Sequence, residues 1–524
     1  MKGDWSGMTV SSGNSVFDQV CSELFHRPLA QLSAAAPPRP PFVWTVGPVV
    51  FDFSKTHWHP QMWEAARTLW PQGRWSAAFE ALTRGEIINT SEKRAALHTA
   101  LRGFRVPETA ADGSPVRTVL EEGDARMQAL VRRMRRHGAN DFDAVLHIGM
   151  GGSVLGPAVV VEALAQQEKG RFDVRFLSNI DGHAFDAAIE GLDPRRTLVV
   201  AVSKSWTTAE TRANLDLARK WLMEGGVVAP ARSVVAVTAA TDKALADGIL
   251  DEQILPFGDW VGGRFSVWSP VGVTIALQYG WEVFQAFRAG GRLMDEHVAA
   301  CGDEPSAPTL AAVLGYAYAR CAGRTTRAVF PYDERLCALV PYLQQLELES
   351  NGKSVKYDGS PYEGPAMPVV WGDVGASAQH AVFQWLHQAT DWAPVDFIAV
   401  ARPDHRHARL HRSLLANCLA QAKALMIGTQ GETDPARIHT GNRPSTLILL
   451  DRLTPEALGA LLAFYEHRTY AYACLMGINC FDQMGVELGK RLAGSVEEAM
   501  ATGNVAGLDP STANLVRRLT SIGV

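Results

Sequence analysis

The chain is poor in the features that would assign it to several large classes. No uncharged apolar run approaches the roughly 20 residues needed to span a bilayer, and Met1-Lys2-Gly3-Asp4-Trp5 lacks the apolar core of a signal peptide. No CxxC pair occurs, and the seven cysteines lie scattered at 21, 301, 321, 337, 418, 474 and 480. An odd, unpatterned set belongs to a reducing compartment, so a cytoplasmic protein with no membrane partner is expected. There is no basic block, and the net charge of -5 argues against nucleic acid as a partner. No HExxH or calcium-loop pattern appears. His57 and His59 are only two apart, and His405, His407 and His411 sit in an arginine-rich run that reads as a solvated face. No metal site is expected.

What is present is ordinary globular composition, 47% hydrophobic and 20% charged, over 524 residues. That length exceeds one core and predicts two α/β domains with appendages. Residues 1–45 read as an N-terminal arm ending in a proline-rich linker, Ala34 to Pro41. Trp63 to Arg102 reads as helical, with Asn89-Thr90-Ser91-Glu92 as N-cap chemistry before Ala95. Met127, Leu130, Val131 and Met134 recur at helical spacing, with Gly138 as the expected stop. Apolar runs at 144–148, 173–177, 197–203 and 233–238 then alternate with helical patterns at 156–168, 183–191 and 208–224. A second alternation places strands at 326–330, 367–370, 395–400 and 445–451. Strand–helix repeats of this kind predict parallel sheets with helices on both faces, and ligands at the carboxyl ends of the strands.

Two such ends stand out. Ile148-Gly149-Met150-Gly151-Gly152-Ser153-Val154-Leu155-Gly156-Pro157 is a glycine-rich turn between a strand and a helix, suited to an anion. A dinucleotide fingerprint would need glycine where Val154 stands, and a Walker loop would need a closing Gly-Lys-Ser/Thr that is absent. The second is Ser203-Lys204-Ser205-Trp206-Thr207-Thr208-Ala209-Glu210-Thr211, where four hydroxyls precede or open a helix directly after a strand. A helix cap accounts for one or two of them; a phosphate dianion uses more.

Together the two loops resemble those of the sugar-isomerase (SIS) domain, and longer blocks resemble the glucose-6-phosphate isomerase family. These are Gly262-Gly263-Arg264-Phe265-Ser266-Val267-Trp268-Ser269, Gln344 to Lys353 with Glu349-Ser350-Asn351-Gly352-Lys353, Gln379-His380 with Leu386-His387-Gln388, and Gly477 to Lys490. Weaker echoes at Asp52-Phe53-Ser54-Lys55 and Leu97 to Arg102 extend the resemblance over roughly residues 50–495. It implies two doubly wound, three-layer α/β domains of SIS type with mostly parallel sheets, an N-terminal helical arm and C-terminal helices. The expected divisions are an arm and linker at 1–45, a helical segment packing on the second domain at 46–120, SIS domains at 121–295 and 300–500, and a tail at 501–524.

The resemblance also implies chemistry: interconversion of glucose 6-phosphate and fructose 6-phosphate by proton transfer through a cis-enediolate, without cofactor or metal. Glu349 would be the base moving the proton between C1 and C2, a task suited to a partly desolvated carboxylate with two oxygens. Arg264, after two glycines that let backbone approach, would stabilise the enediolate. His380 and Lys490 would take part in ring opening, His380 reaching the site from the other subunit of a homodimer. Ser153, Ser203, Ser205 and Thr208 would hold the phosphate with backbone from Gly152 and Lys204, and Gln483, expected two turns before Lys490 on one helix, would join them. Gln345 and Glu210 would line the substrate. A non-catalytic sugar-phosphate sensor would need the loops but not Glu349, Arg264, His380 and Lys490 together; an isomerase that also takes mannose 6-phosphate differs only at C2. Val154 replaces a residue usually polar in the family, Trp206 a phenylalanine, and Ala378 a glycine whose backbone freedom would be lost beside His380.

Overall fold

In the computed structural model, residues 15–34, 42–70, 73–136 and 142–523 are described. The proline-rich run to Pro41, the chain start and Gly138 lie outside them. Through Cys480 the chain forms one compact unit; from Phe481 it forms a second.

The chain first makes a hairpin, β1 (Val43–Val46) and β2 (Val49–Lys55). On β2, Val49, Phe51 and Phe53 are fully buried while the residues between are half-buried, the period-two pattern of a strand with one packed face. The expectation of an entirely helical 46–120 segment is therefore corrected. Its helices are Pro60–Ala66, Trp75–Arg84 and the start of Val116–Arg135. The proposed N-cap at Asn89 starts no helix, because its amide donates to Glu92 (2.6 Å) and its backbone pairs with Arg94, closing a turn on itself. The later helix buries Met127, Leu130, Val131 and Met134, as the spacing predicts.

The first sheet contains β3 (Ala144–Gly149), β4 (Asp173–Leu177), β5 (Thr197–Val202), β6 (Val234–Thr238) and β7 (Ile254–Pro256), all parallel, in the order β4-β3-β5-β6-β7. Every residue of β3 and β5 is buried, which requires cover on both faces. One face packs Leu146, Ile148, Val199 and Ala201 against Phe185, Leu215, Ala218 and Leu222 of the connecting helices. On the other, His147 meets Thr274 of the helix Val273–Tyr279. Three residues long, β7 carries too short a run to show a period, and the sequence reading missed it.

The second sheet is mixed, in the order β1-β2-β11-β10-β8-β9, with β8 (Thr326–Tyr332), β9 (Val369–Gly372), β10 (Val395–Val400) and β11 (Ser445–Leu450) parallel and the hairpin antiparallel at β11. Both parallel runs reverse direction beside their first strand: β3 is flanked by β4 and β5, and β8 by β9 and β10. Each sheet thus offers a crevice at the carboxyl ends of the strands where the order reverses. The helices Trp281–Cys301 and Pro455–Met476 pack against each other. Fully buried charges cross that seam: Arg102 pairs with Asp295 and with Glu466, and His467 bonds Asp295 at 2.7 Å. An ion in such a place requires a partner, so deleting one member leaves a stranded charge.

The second unit holds the helices Glu487–Thr502 and Pro510–Ser521, so the expected tail at 501–524 is largely helical. No helix among the described residues is long and apolar enough to cross a membrane. All seven cysteines are free.

Candidate active site

The exits of β3 and β5 lie side by side, with Gly149 paired to Val202. After β3 the backbone turns through Gly151, at φ 52°, into the helix Leu155–Leu164, which has no side-chain cap at its start. A Cβ on Gly152 would stand 2.2 Å from the Gly263 carbonyl oxygen and 2.6 Å from the Arg264 nitrogen. Glycine is thus required there by contact with the arginine-bearing loop. Beneath the turn, buried His147 lies with Nε2 2.8 Å from the Ser153 carbonyl and Nδ1 2.7 Å from the Thr274 hydroxyl. Burial pushes this imidazole down to about 4, so it is neutral, with Nε2 donating to the carbonyl and Nδ1 accepting from the hydroxyl. Val154 is buried, which accounts for an apolar side chain where the family usually has a polar one.

After β5, Ser203 donates to the Thr208 hydroxyl (3.2 Å), and the Ser205 and Thr207 hydroxyls lie 2.8 Å apart. Thr208 stands at the N-cap of the helix Ala209–Glu224 but makes no side-chain cap, so its hydroxyl is not used on the helix amides. Glu210 is in that helix's first turn. Trp206 takes a left-handed backbone (φ 55°), with its buried indole donating to Asp247 at 3.2 Å. The Lys204 ammonium turns away from the hydroxyls and donates to the carbonyls of Asp259 (2.6 Å) and Val261 (2.9 Å).

Arg264 is buried at the end of that segment, and each of its nitrogens has a partner. Nε donates to Ser350 Oγ (2.6 Å), Nη1 to Glu349 Oε1 (2.9 Å), and Nη2 to the Cys480 carbonyl. Glu349 is a quarter exposed, and its second oxygen accepts from Gln345 Nε2 at 2.9 Å. Gln345 also faces the glycine turn, where a Cβ on Gly151 would stand 2.6 Å from its Nε2. Gln345–Glu349 forms one π-type turn within the helical stretch that starts at Leu339. The arrangement puts a half-open carboxylate beside a fixed guanidinium, with glycine amides and four hydroxyls on neighbouring loops. It can move a proton next to a site where negative charge develops.

Arg264, Glu349, Gln345, Gly152 and the turn bearing Ser153 are thus brought together. His380 is exposed on the helix Gly375–Gln388, outside this cluster of contacts. Ala378 is buried within the same helix, where alanine is favoured over glycine, so the feared loss of backbone freedom does not arise. Gln483 and Lys490 belong to the second unit. They do not share a helix: Gln483 precedes a 3-10 turn, Met484–Val486, and the helix begins only at Glu487. There Lys490 pairs with Glu487 at 3.0 Å. Sequence reasoning missed the support of Ser350, the Cys480 carbonyl and His147. Ser350 and Cys480 lay inside recognised blocks, and His147 was the lone polar residue in an apolar strand.

The other crevice is filled differently. Arg335 forks onto Asp333 (2.8 and 2.7 Å) and reaches Asp404 at 2.6 Å, while Arg452 approaches Asp404 at 3.3 Å. The nearby histidines are also not uniformly solvated as expected: His405 and His407 are exposed, but His411 is buried with Nε2 3.0 Å from the Ala401 carbonyl. His57 is buried beside Tyr318 and pushed down to about 4 by desolvation. Among the described residues no group of three or more His, Cys, Asp and Glu is arranged to hold a metal ion.

The family model of phosphoglucose isomerase matches residues 52–516. A glucose-6-phosphate isomerase of Rhizorhabdus wittichii is 46% identical over 471 residues, covering 90% of this chain and 92% of that protein. The enzyme of the same name from Zymomonas mobilis is 44% identical over 467 residues, covering 89% and 90%. Among solved structures, a glucose-6-phosphate isomerase from Chlamydia trachomatis superposes with a TM-score of 0.86 at 30% identity, covering 97% of this chain and 98% of that one.

Proposed function

The chain belongs to the phosphoglucose isomerase family and is an aldose–ketose isomerase interconverting glucose 6-phosphate and fructose 6-phosphate, and we propose that Glu349 and Arg264 carry its central step. The observation that supports this reading is the Arg264–Glu349 contact at 2.9 Å, with the base also held by Gln345 and the whole set against the Gly151-Gly152 turn. Glu349 takes the proton from C2 of the open aldose and returns it to C1. Because its two oxygens have different partners, a small rotation presents either one to the substrate. Arg264 faces the oxygen on which charge accumulates, and its fixed partners spare it reorganisation as that charge forms. A guanidinium in this position supplies the electrophile that a divalent ion supplies elsewhere.

In this proposal the phosphate sits at the switch point of the first sheet. Ser153, Ser203, Ser205 and Thr208 donate hydroxyls, and the backbone of Gly152 and Lys204 donates amides at two helix starts. Gln345 and Glu210 line the sugar, and Gln483 adds to the phosphate grip. Ring opening falls to Lys490 and to His380, whose exposure on its own chain supports donation across a homodimer interface. The expected setting is the cytoplasm, in keeping with seven free cysteines.

The test is a coupled assay of the purified protein with fructose 6-phosphate, run beside mannose 6-phosphate and repeated on Glu349→Gln. Turnover of fructose 6-phosphate with little of mannose 6-phosphate, lost in the variant, is the expected outcome. Full activity in the variant removes Glu349 from the mechanism.

A further inference from the structure

Lys204 lies between two of the phosphate-loop serines, yet its side chain leaves that loop. Its own carbonyl accepts from Ala239 N (3.1 Å) and Thr238 Oγ1 (3.0 Å), which pins the residue to the end of β6. From this fixed base the ammonium donates to the carbonyls of Asp259 and Val261 at 2.6 and 2.9 Å. These carbonyls precede Gly262-Gly263, a pair with no side chains to brace it, and Arg264 follows directly. Other donors hold the same segment: Arg94 on the Asp259 carbonyl (3.2 Å), Leu97 N on the Trp260 carbonyl (3.2 Å) and Ser266 Oγ on the Gly263 carbonyl (2.6 Å). Unlike these, Lys204 comes from the loop proposed to hold the phosphate.

We infer that Lys204 is a positioning residue that latches the Ser203–Thr208 loop to the 259–264 segment and so sets where the Arg264 guanidinium stands. The latch rests on the reading of Arg264 as the oxyanion partner. It differs from the backbone contact to phosphate, because it acts through a side chain that points away from the hydroxyls. Misplacing a charged group by about an ångström costs catalysis far more than binding.

The charged and titratable groups facing Lys204 are Arg94, Asp259 and Glu92, with Lys243 reaching the Ser205 carbonyl at 3.3 Å nearby. Burial first, then Arg94, pushes the ammonium down to about 8, with Asp259 and Glu92 opposing the shift. At neutral pH it is charged and donates strongly; as the pH rises through that value it becomes a neutral amine and a weaker donor.

The experiment measures kcat and KM for fructose 6-phosphate from pH 6.5 to 10, and inhibition by inorganic phosphate, in wild type, Lys204→Met, Lys204→Arg and Arg264→Ala. The melting transition of each variant checks that it is folded. Lys204→Met is expected to lower kcat by about 10–100-fold, with KM and phosphate inhibition changed by less than about threefold. Wild type should lose kcat as the pH rises through about 8, and this fall should vanish in Lys204→Met. Lys204→Arg, charged throughout the range, should keep most of kcat and stay level to high pH. A fall through about pH 8 that persists unchanged in either variant, or a loss confined to KM and phosphate inhibition, overturns the latch. If Arg264→Ala is impaired while Lys204→Met is not, the latch fails and the oxyanion reading stands. If Arg264→Ala retains full kcat, that reading itself has failed.

Discussion

The two sheets reverse their strand order in the same way, yet their crevices hold opposite chemistry. At the first, the exits of β3 and β5 carry glycines and hydroxyls, with Arg264 aimed at Glu349. At the second, the exits of β8 and β10 are joined by Arg335, whose side chain is 8% exposed and spans Asp333 and Asp404. A guanidinium whose charge is balanced by two carboxylates offers little to an anion, whereas Arg264 faces a single carboxylate and the hydroxyls bonded to one another can exchange partners at small cost. Topology offers two places for a substrate, and side-chain chemistry keeps one. The second sheet contributes differently: the helical stretch after β8 carries Glu349 and Gln345 over to the first crevice.

The strongest way to break this contrast is Glu349→Gln. It should lower kcat by on the order of 10²–10⁴ with KM little changed, measured by steady-state kinetics; an unaffected kcat would put the chemistry elsewhere. Arg264→Ala comes next, with an expected loss of about 10²–10³ in kcat. It also removes a donor from the Ser350 hydroxyl and the Cys480 carbonyl, so Arg264→Lys is a useful companion, and a loss confined to KM would make this arginine a binding residue. A third test asks whether the second half adds a residue through a partner subunit. Glu349→Gln and His380→Ala, each nearly inactive alone, should recover roughly a quarter of wild-type activity when unfolded together and refolded as mixed dimers, because one site in each heterodimer is then intact. No recovery would place His380 in its own subunit's site or outside the chemistry. The smallest effect belongs to the other crevice: Arg335→Met should leave kcat and KM within about twofold, with a modest fall in melting temperature. A large kinetic defect there would mean that both crevices serve the reaction.

Much of the architecture was legible because it is written in runs of apolar residues. Every parallel strand of four residues or more fell within two residues of its expected place. The three-residue β7 carried too little signal, and β2 was passed over although Val49, Phe51 and Phe53 alternate with less buried neighbours. At Asn89 a good capping sequence bonded to itself instead of opening a helix. The site was legible as a set of residue types in recognisable blocks, but not as a set of contacts. That Arg264 touches Glu349 joins positions 85 apart in the chain, and nothing local encodes the pairing. The Lys204 side chain shows the same limit: its motif marked it as a phosphate-loop residue, while its hydrogen bonds lie 55 and 57 positions away. The opposite error occurred at Lys490, where regular spacing from Gln483 implied one continuous helix and the glycine-containing turn before Glu487 broke it.

The π-type turn at Gln345–Glu349 turns residue count into aim. Each residue of an α-helix advances about 100° around the axis, so one residue more or fewer swings everything beyond it by over a quarter turn. Upstream lie buried Leu339 and Leu343; within the turn, Glu347 is locked in the core by Arg327 and Arg468, and two residues on, Glu349 faces the guanidinium. A one-residue deletion in this stretch would preserve composition and helical character while pointing the carboxylate into the packing or Glu347 out of its ion pairs. Single-codon deletions between 339 and 349 should therefore be far less tolerated than substitutions at the less buried positions there, such as Gln344, and a library of both would separate the aim of the helix from its packing.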